Sequence, residues 1–317
     1  MFPSIFPLRF APIPEKLAAM PMYPGETAAL ATAFLWMLSS LCWTVVGERV
    51  GSLAVNVIRL LFALPMLMLV LWLTQGAPIP LSAPPQVWLY LSLSGVFGFF
   101  VCDLFLFRSF LMIGPRLGML ILSLAPPLTA LLGWLILGEK LAPIHWFGMG
   151  LTMAGVVWVV LESPVNSGRR YVFTFRGGAL AFLGTAGQAV AMVFAKLGMQ
   201  PGISAMAATE VRLLAGLACF LVLLLVLRRY PLLVQAGRDR RALGIITLGA
   251  LAGPFLGVTL MMVAIRYIST GLAQTFLALA PVMIIPFMRW LYQERVRFPA
   301  VAGAALAFLG VALLFVK

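Results

Sequence analysis

The segment Leu124–Lys140, LAPPLTALLGWLILGEK, returns as Leu279–Arg295, LAPVMIIPFMRWLYQER, and the offset is 279 − 124 = 155 at one end and 295 − 140 = 155 at the other. The register holds on both sides of the segment. Ile113 falls on Ile268, Glu139 on Glu294, Gly148 on Gly303, and Gly155-Val156 on Gly310-Val311, so a copy of about fifty residues aligns without a gap. Each copy is an apolar run, a short charged break and a second apolar run carrying spaced small residues. In lipid, where backbone groups must be satisfied within the segment, that pattern is a helical hairpin, used once in each half of the chain.

Around the hairpins the composition excludes a soluble protein. Hydrophobic residues make up 63% of the 317 and charged residues only 10%, with a mean hydropathy of +1.08; soluble domains carry about 25% charged residues. The net charge of +13 does not mark a nucleic-acid binder, because the basic residues sit in short breaks between apolar runs. There they read as topology signals and contacts to anionic lipid headgroups. Cys42, Cys102 and Cys219 lie inside apolar runs without a CxxC or metal-ligand spacing, so they read as buried thiols. No metal and no cofactor are expected.

A membrane span needs about twenty mostly apolar residues. On that rule ten helices are expected at about 27–46, 53–73, 87–107, 117–137, 144–161, 178–197, 203–227, 243–265, 272–291 and 299–316. Residues 1–25, broken by Pro3, Pro7, Pro12 and Pro14, read as a disordered tail, and 163–176 as a polar linker between a first repeat (26–162) and a second (177–317). The repeat reaches the earlier helices too: Arg59 in Asn56-Val57-Ile58-Arg59 corresponds to Arg212 in Thr209-Glu210-Val211-Arg212, and Glu48 to Lys196. Five helices per half is an odd number. The second half must therefore enter the membrane from the opposite face, which makes the fold class an all-α polytopic membrane protein of ten spans in two inverted five-helix repeats. Lys and Arg are concentrated in the breaks that follow helices one, three, five, seven and nine, so this face is expected to be cytoplasmic and both termini outside.

Leu-Ala-Pro, the break Gly138-Glu139-Lys140 and the Gly148/Gly155 helix, all repeated around Glu294 and Gly310, resemble the duplicated EamA domain of the drug/metabolite transporter superfamily. The resemblance covers almost everything after the N-terminal tail. It implies a multi-pass inner (plasma) membrane carrier of small organic molecules, often an exporter of amino acids or other metabolites. It also implies two five-helix halves around a central cavity, and termini in the cytoplasm, the reverse of the charge count. This chain departs from the family's pattern in its second break, Thr74 to Gln86, which has no Lys or Arg.

Asp103 is the most informative side chain. An ionised Asp in mid-span costs about 2.5–3.5 kcal/mol even on the mild insertion scale, so it must face a partner or a wet cavity. Arg108, also a candidate for substrate contact or proton coupling, is an awkward partner for Asp103, since five residues turn about 140° around a helix. Arg59 is better placed, because its helix end meets the same leaflet. Asp103 then reads either as a proton or substrate-amine site, or as half of an Asp103–Arg59 structural lock. Val258 and Val263 stand where the repeat would put a second Asp103 and Arg108, so the pair belongs to one half only.

Arg59 and Arg212, common to both halves, read as capping carbonyls, as reaching headgroups, or as contacts to an anionic substrate. Glu210 is expected to meet Lys196 or solvent. Gln188, Gln274 and Trp43 are candidate cavity-lining residues, with interhelical hydrogen bonding the plainer role for the two glutamines. Pro126, Pro127, Pro254, Pro281 and Pro286 each remove a backbone donor within a span, and read as kinks or hinges. The pairs Glu139-Lys140 and Glu294-Arg295 read as helix-end anchors, and His145 as an interfacial residue.

Two functions compete. One is a proton-coupled carrier, monomeric or homodimeric, with a small-molecule substrate. The other is an intramembrane enzyme acting on lipid or peptide, disfavoured because the sequence contains no Gly-x-Ser-x-Gly, no HExxH and no partner carboxylate in the leaflet of Asp103.

Overall fold

The computed structural model describes residues 23–162, 173–199, 201–229, 231–284 and 298–316. Among those residues are eight helices long and apolar enough to cross a membrane, plus two shorter apolar ones. In chain order we label them α1 (Pro24–Val50), α2 (Ser52–Gln75), α3 (Pro85–Gly114), α4 (Leu117–Leu137) and α5 (Pro143–Glu162) in the first half. The second half has α6 (Phe175–Gly198), α7 (Ala205–Val226), α8 (Arg240–Tyr267), α9 (Thr270–Met283) and α10 (Phe298–Leu314). A short helix, Pro231–Arg238, lies between α7 and α8, in what the sequence shows only as a basic break.

The packing follows the repeat. α1 packs along α8 and α6 along α3, two contacts that exchange when the halves are swapped. α2 packs on α7, α4 on α9 and α5 on α10, each helix against its own counterpart. Such a set of pairings is what a pseudo-two-fold relation produces. The α5/α10 crossing displays it residue by residue. A Cβ on Gly155 would strike the backbone of Ala307 and Gly303, and one on Gly310 would strike Thr152 and Gly148. Because 307 − 152, 310 − 155 and 303 − 148 all equal 155, the second contact is the first with the halves exchanged. Small residues let these backbones touch where lipid offers no hydrophobic drive between helices.

Three local features depart from the expected boundaries. First, α3 does not stop at Phe107: it continues to Gly114, whose φ of 82° and ψ of 156° end it in a backbone conformation open to glycine. Second, α3 and α8 each contain a π-helical segment, Val96–Val101 and Leu251–Gly257, which start at repeat-related positions (251 − 96 = 155). The wider turn re-aims the residues that follow it, Asp103 in α3 and Val258 in α8.

The third departure concerns the prolines. Pro126 and Pro127 do not interrupt a continuous helix; α4 is broken at Ser123–Leu124, and both prolines sit in the first turn of Ala125–Leu132. Pro281 likewise opens Ala280–Met283 after a break at Ala278–Leu279. In a first turn the missing N–H has no intrahelical partner to lose, which is why the breaks fall there. Pro254 is the one of these candidates found inside a helical segment, within the π turn of α8. Pro286 and the Glu294-Arg295 break lie outside the described residues, as does nearly all of the expected N-terminal tail.

Candidate functional site

The extension of α3 changes the depth of Asp103. It stands 114 − 103 = 11 residues from the helix end, about 16 Å at 1.5 Å per residue and so close to the middle of an apolar layer of about 30 Å. There its carboxylate accepts a hydrogen bond from Arg59 Nη2, and the two form an ion pair with side chains 18% and 13% exposed. The Arg59 guanidinium lies 5.7 Å from the centre of the Trp43 ring, over its face. Residues from α1, α2 and α3 thus meet in one cluster. Arg59 Nε is buried with no hydrogen-bond partner. Arg108 is exposed and outside the cluster, as its angular position on the helix required.

Arg212 occupies the corresponding place in α7, with different company. It is 6% exposed, its Nη1 donates to the sulfur of Met262 at 3.3 Å, and its guanidinium lies 5.5 Å from the centre of the Phe99 ring. Its Nε has no partner. Neither of the expected architectural roles describes it: it caps no carbonyl among the described residues, and burial keeps it from a headgroup. The backbone of Arg212 is clamped as well, because a Cβ on Gly95 would overlap its carbonyl.

Glu210 corrects another expectation. It meets neither Lys196 nor solvent: it is fully buried, and neither carboxylate oxygen has a hydrogen-bond partner. Lys196 instead reaches Glu139 at 3.6 Å and donates to the carbonyl of Ile268 at 2.9 Å and to that of Ile265. Glu139 in turn accepts from the Thr270 N–H at 2.8 Å and hydroxyl at 2.7 Å. It is therefore more than a helix-end anchor: it ties the α4–α5 break to the end of α6 and the start of α9, across the two halves. A Cβ on Gly133 would lie 2.7 Å from both the Glu139 carboxylate and the Thr270 hydroxyl, so the knot depends on that glycine.

Gln274 is 5% exposed with its Oε1 unpartnered, while Gln188 is half-buried and outside the arginine clusters. His145 faces the Val316 carbonyl at 3.0 Å, joining the start of α5 to the end of α10. On the opposite face Arg49 pairs with Asp239 at 3.0 Å. A cavity of about 350 Å³ opens between α3 and α7, lined by Phe100, Ala218, Cys219, Val222, Leu223 and Val226. Its walls are apolar and hold none of the buried charges. Among the described residues no group of three His, Cys, Asp or Glu side chains could hold a metal ion.

A family model described as "EamA-like transporter family" matches residues 23–161 and again 175–316. No match is found among curated proteins. Among solved structures, one described as "Crystal structure of protein" superposes with a TM-score of 0.74 over 92% of this chain and 95% of its own, at 17% identity. At that identity the likeness concerns the fold alone.

Proposed function

We propose, from the premise that the chain belongs to the EamA-like transporter family, that it is a secondary carrier exporting a small organic solute, amino-acid-like or drug-like, across the inner (plasma) membrane. The family is one of transporters, not enzymes. The halves rock about their shared axis and expose a midplane site to each side in turn, with proton movement coupled at Asp103. The observation that carries the reading is the buried Asp103–Arg59 pair, present in one half only and reached by the Trp43 ring. A lock needed by the architecture alone would be expected in both repeats. An ion pair at membrane depth persists because each charge neutralises the other, so a proton arriving on Asp103 releases Arg59 and undoes the tie between α2 and α3.

Asp103→Asn is the direct test, because the amide keeps an acceptor for Arg59 but cannot carry the proton. In proteoliposomes the variant should lose proton-driven transport and retain folding and counterflow exchange. A variant with wild-type pH dependence would remove Asp103 from the coupling step.

A further inference from the structure

The two arginines are repeat mates, but among the described residues only one has an anion. Arg59 has Asp103; at the position of Asp103 in the second half stands Val258, buried in the core. Val258 is one helical turn from Met262, whose sulfur touches Arg212, so it lies on the face of α8 that Arg212 meets. A guanidinium does not shed its charge at any accessible pH, and burial without an anion is costly. Glu210 does not fill the role: two residues turn a helix about 200°, and its carboxylate makes no ion pair with Arg212.

The geometry points to Arg212 as the recognition site for the carboxylate of the transported solute, with the Phe99 ring and Met262 sulfur flanking the guanidinium. The planar fork of Arg212 presents paired N–H donors that match a carboxylate, which the solute supplies where the other half supplies Asp103. This inference rests on the carrier reading and narrows its substrate class to organic anions and zwitterions with a free carboxylate.

The test uses the full chain in lipid nanodiscs, thermal melting as the readout, and acetate as probe against chloride at equal ionic strength. V258D places a carboxylate beside Arg212 from within the protein. It should melt roughly 2–4 °C above V258N, and adding R212Q to V258D should reverse the gain. Acetate should raise the melting temperature of the wild type, and leave both V258D and R212Q unmoved. The inference is overturned if V258D melts no higher than V258N, since no anion then fits beside Arg212. It is equally overturned if acetate is silent on the wild type, or if chloride matches acetate and the site holds an adventitious ion only. The carrier reading fails separately: acetate responses without solute flux in proteoliposomes would remove transport and leave the Arg212 site standing.

Discussion

At the scale of single residues, the two repeat-related arginines differ in their surroundings: Arg59 is paired with Asp103, while Arg212 meets Met262 and Phe99. Arg59→Met leaves the Asp103 carboxylate without its donor at mid-depth, and breaking one side of a buried pair costs about 3–5 kcal/mol. Adding Asp103→Asn should recover most of that loss in a thermal melt, while proton coupling stays absent; a double variant no more stable than Arg59→Met would show that the pair contributes nothing to the fold. Asp239, outside the spans, offers a pH-dependent contrast. The Ala242 N–H first, then Arg49, hold its carboxyl below the ordinary 3.8. A depressed folded-state pKa contributes stability above the unfolded value and loses it as pH falls through the folded one. The melting difference between wild type and Asp239→Asn should accordingly be present at neutral pH and close below about pH 4. Asp103 and its partner were legible in the sequence because a charge in an apolar run demands an explanation. The burial of Glu210 was not, since a charge five residues into a helix looks solvated until the neighbouring helices are placed.

Whole helices succeed or fail on contacts that one side chain can spoil. Gly155 and Gly150 lie on the same helix, but a Cβ on Gly155 overlaps the α10 backbone, whereas one on Gly150 meets nothing within 4 Å. Gly150→Ala should leave the melting temperature unchanged or raise it, as a helix gains about 0.5–1 kcal/mol from that exchange. Gly155→Ala should lower it, and equal effects at the two sites would place the α5/α10 seam elsewhere. The 155-residue register and the spaced small residues of α5 and α10 were legible in the sequence; that the two stripes pack on each other was not, because spacing does not name a partner. The π turns of α3 and α8 were not visible. One extra residue in a turn leaves no compositional mark, and Arg108 in α3 reads as a helix stop although α3 carries it through.

Across the whole molecule, the knot of Glu139, Lys196 and Thr270 binds parts of both halves on one face. A rocking carrier has to undo it once per cycle. Glu139→Gln removes the charge on one side of the knot, so it should shift a cysteine-accessibility pattern toward exposure on that face; an unchanged pattern would mean the knot does not gate. Residues 131 positions apart gave no sign of meeting, because each was read only within its own break. If the Lys and Arg distribution sets the orientation, the knot faces outward: a reporter fused at Gln235, in the short helix after α7 on the opposite face, should read cytoplasmic, and a periplasmic signal would invert the orientation. The glycine seam has a consequence of another kind. A surface in which position i touches j while j touches i is isologous, as in a symmetric homodimer. Two polypeptides cut between α5 and α6 and made in the same cell should therefore find each other and assemble through that seam.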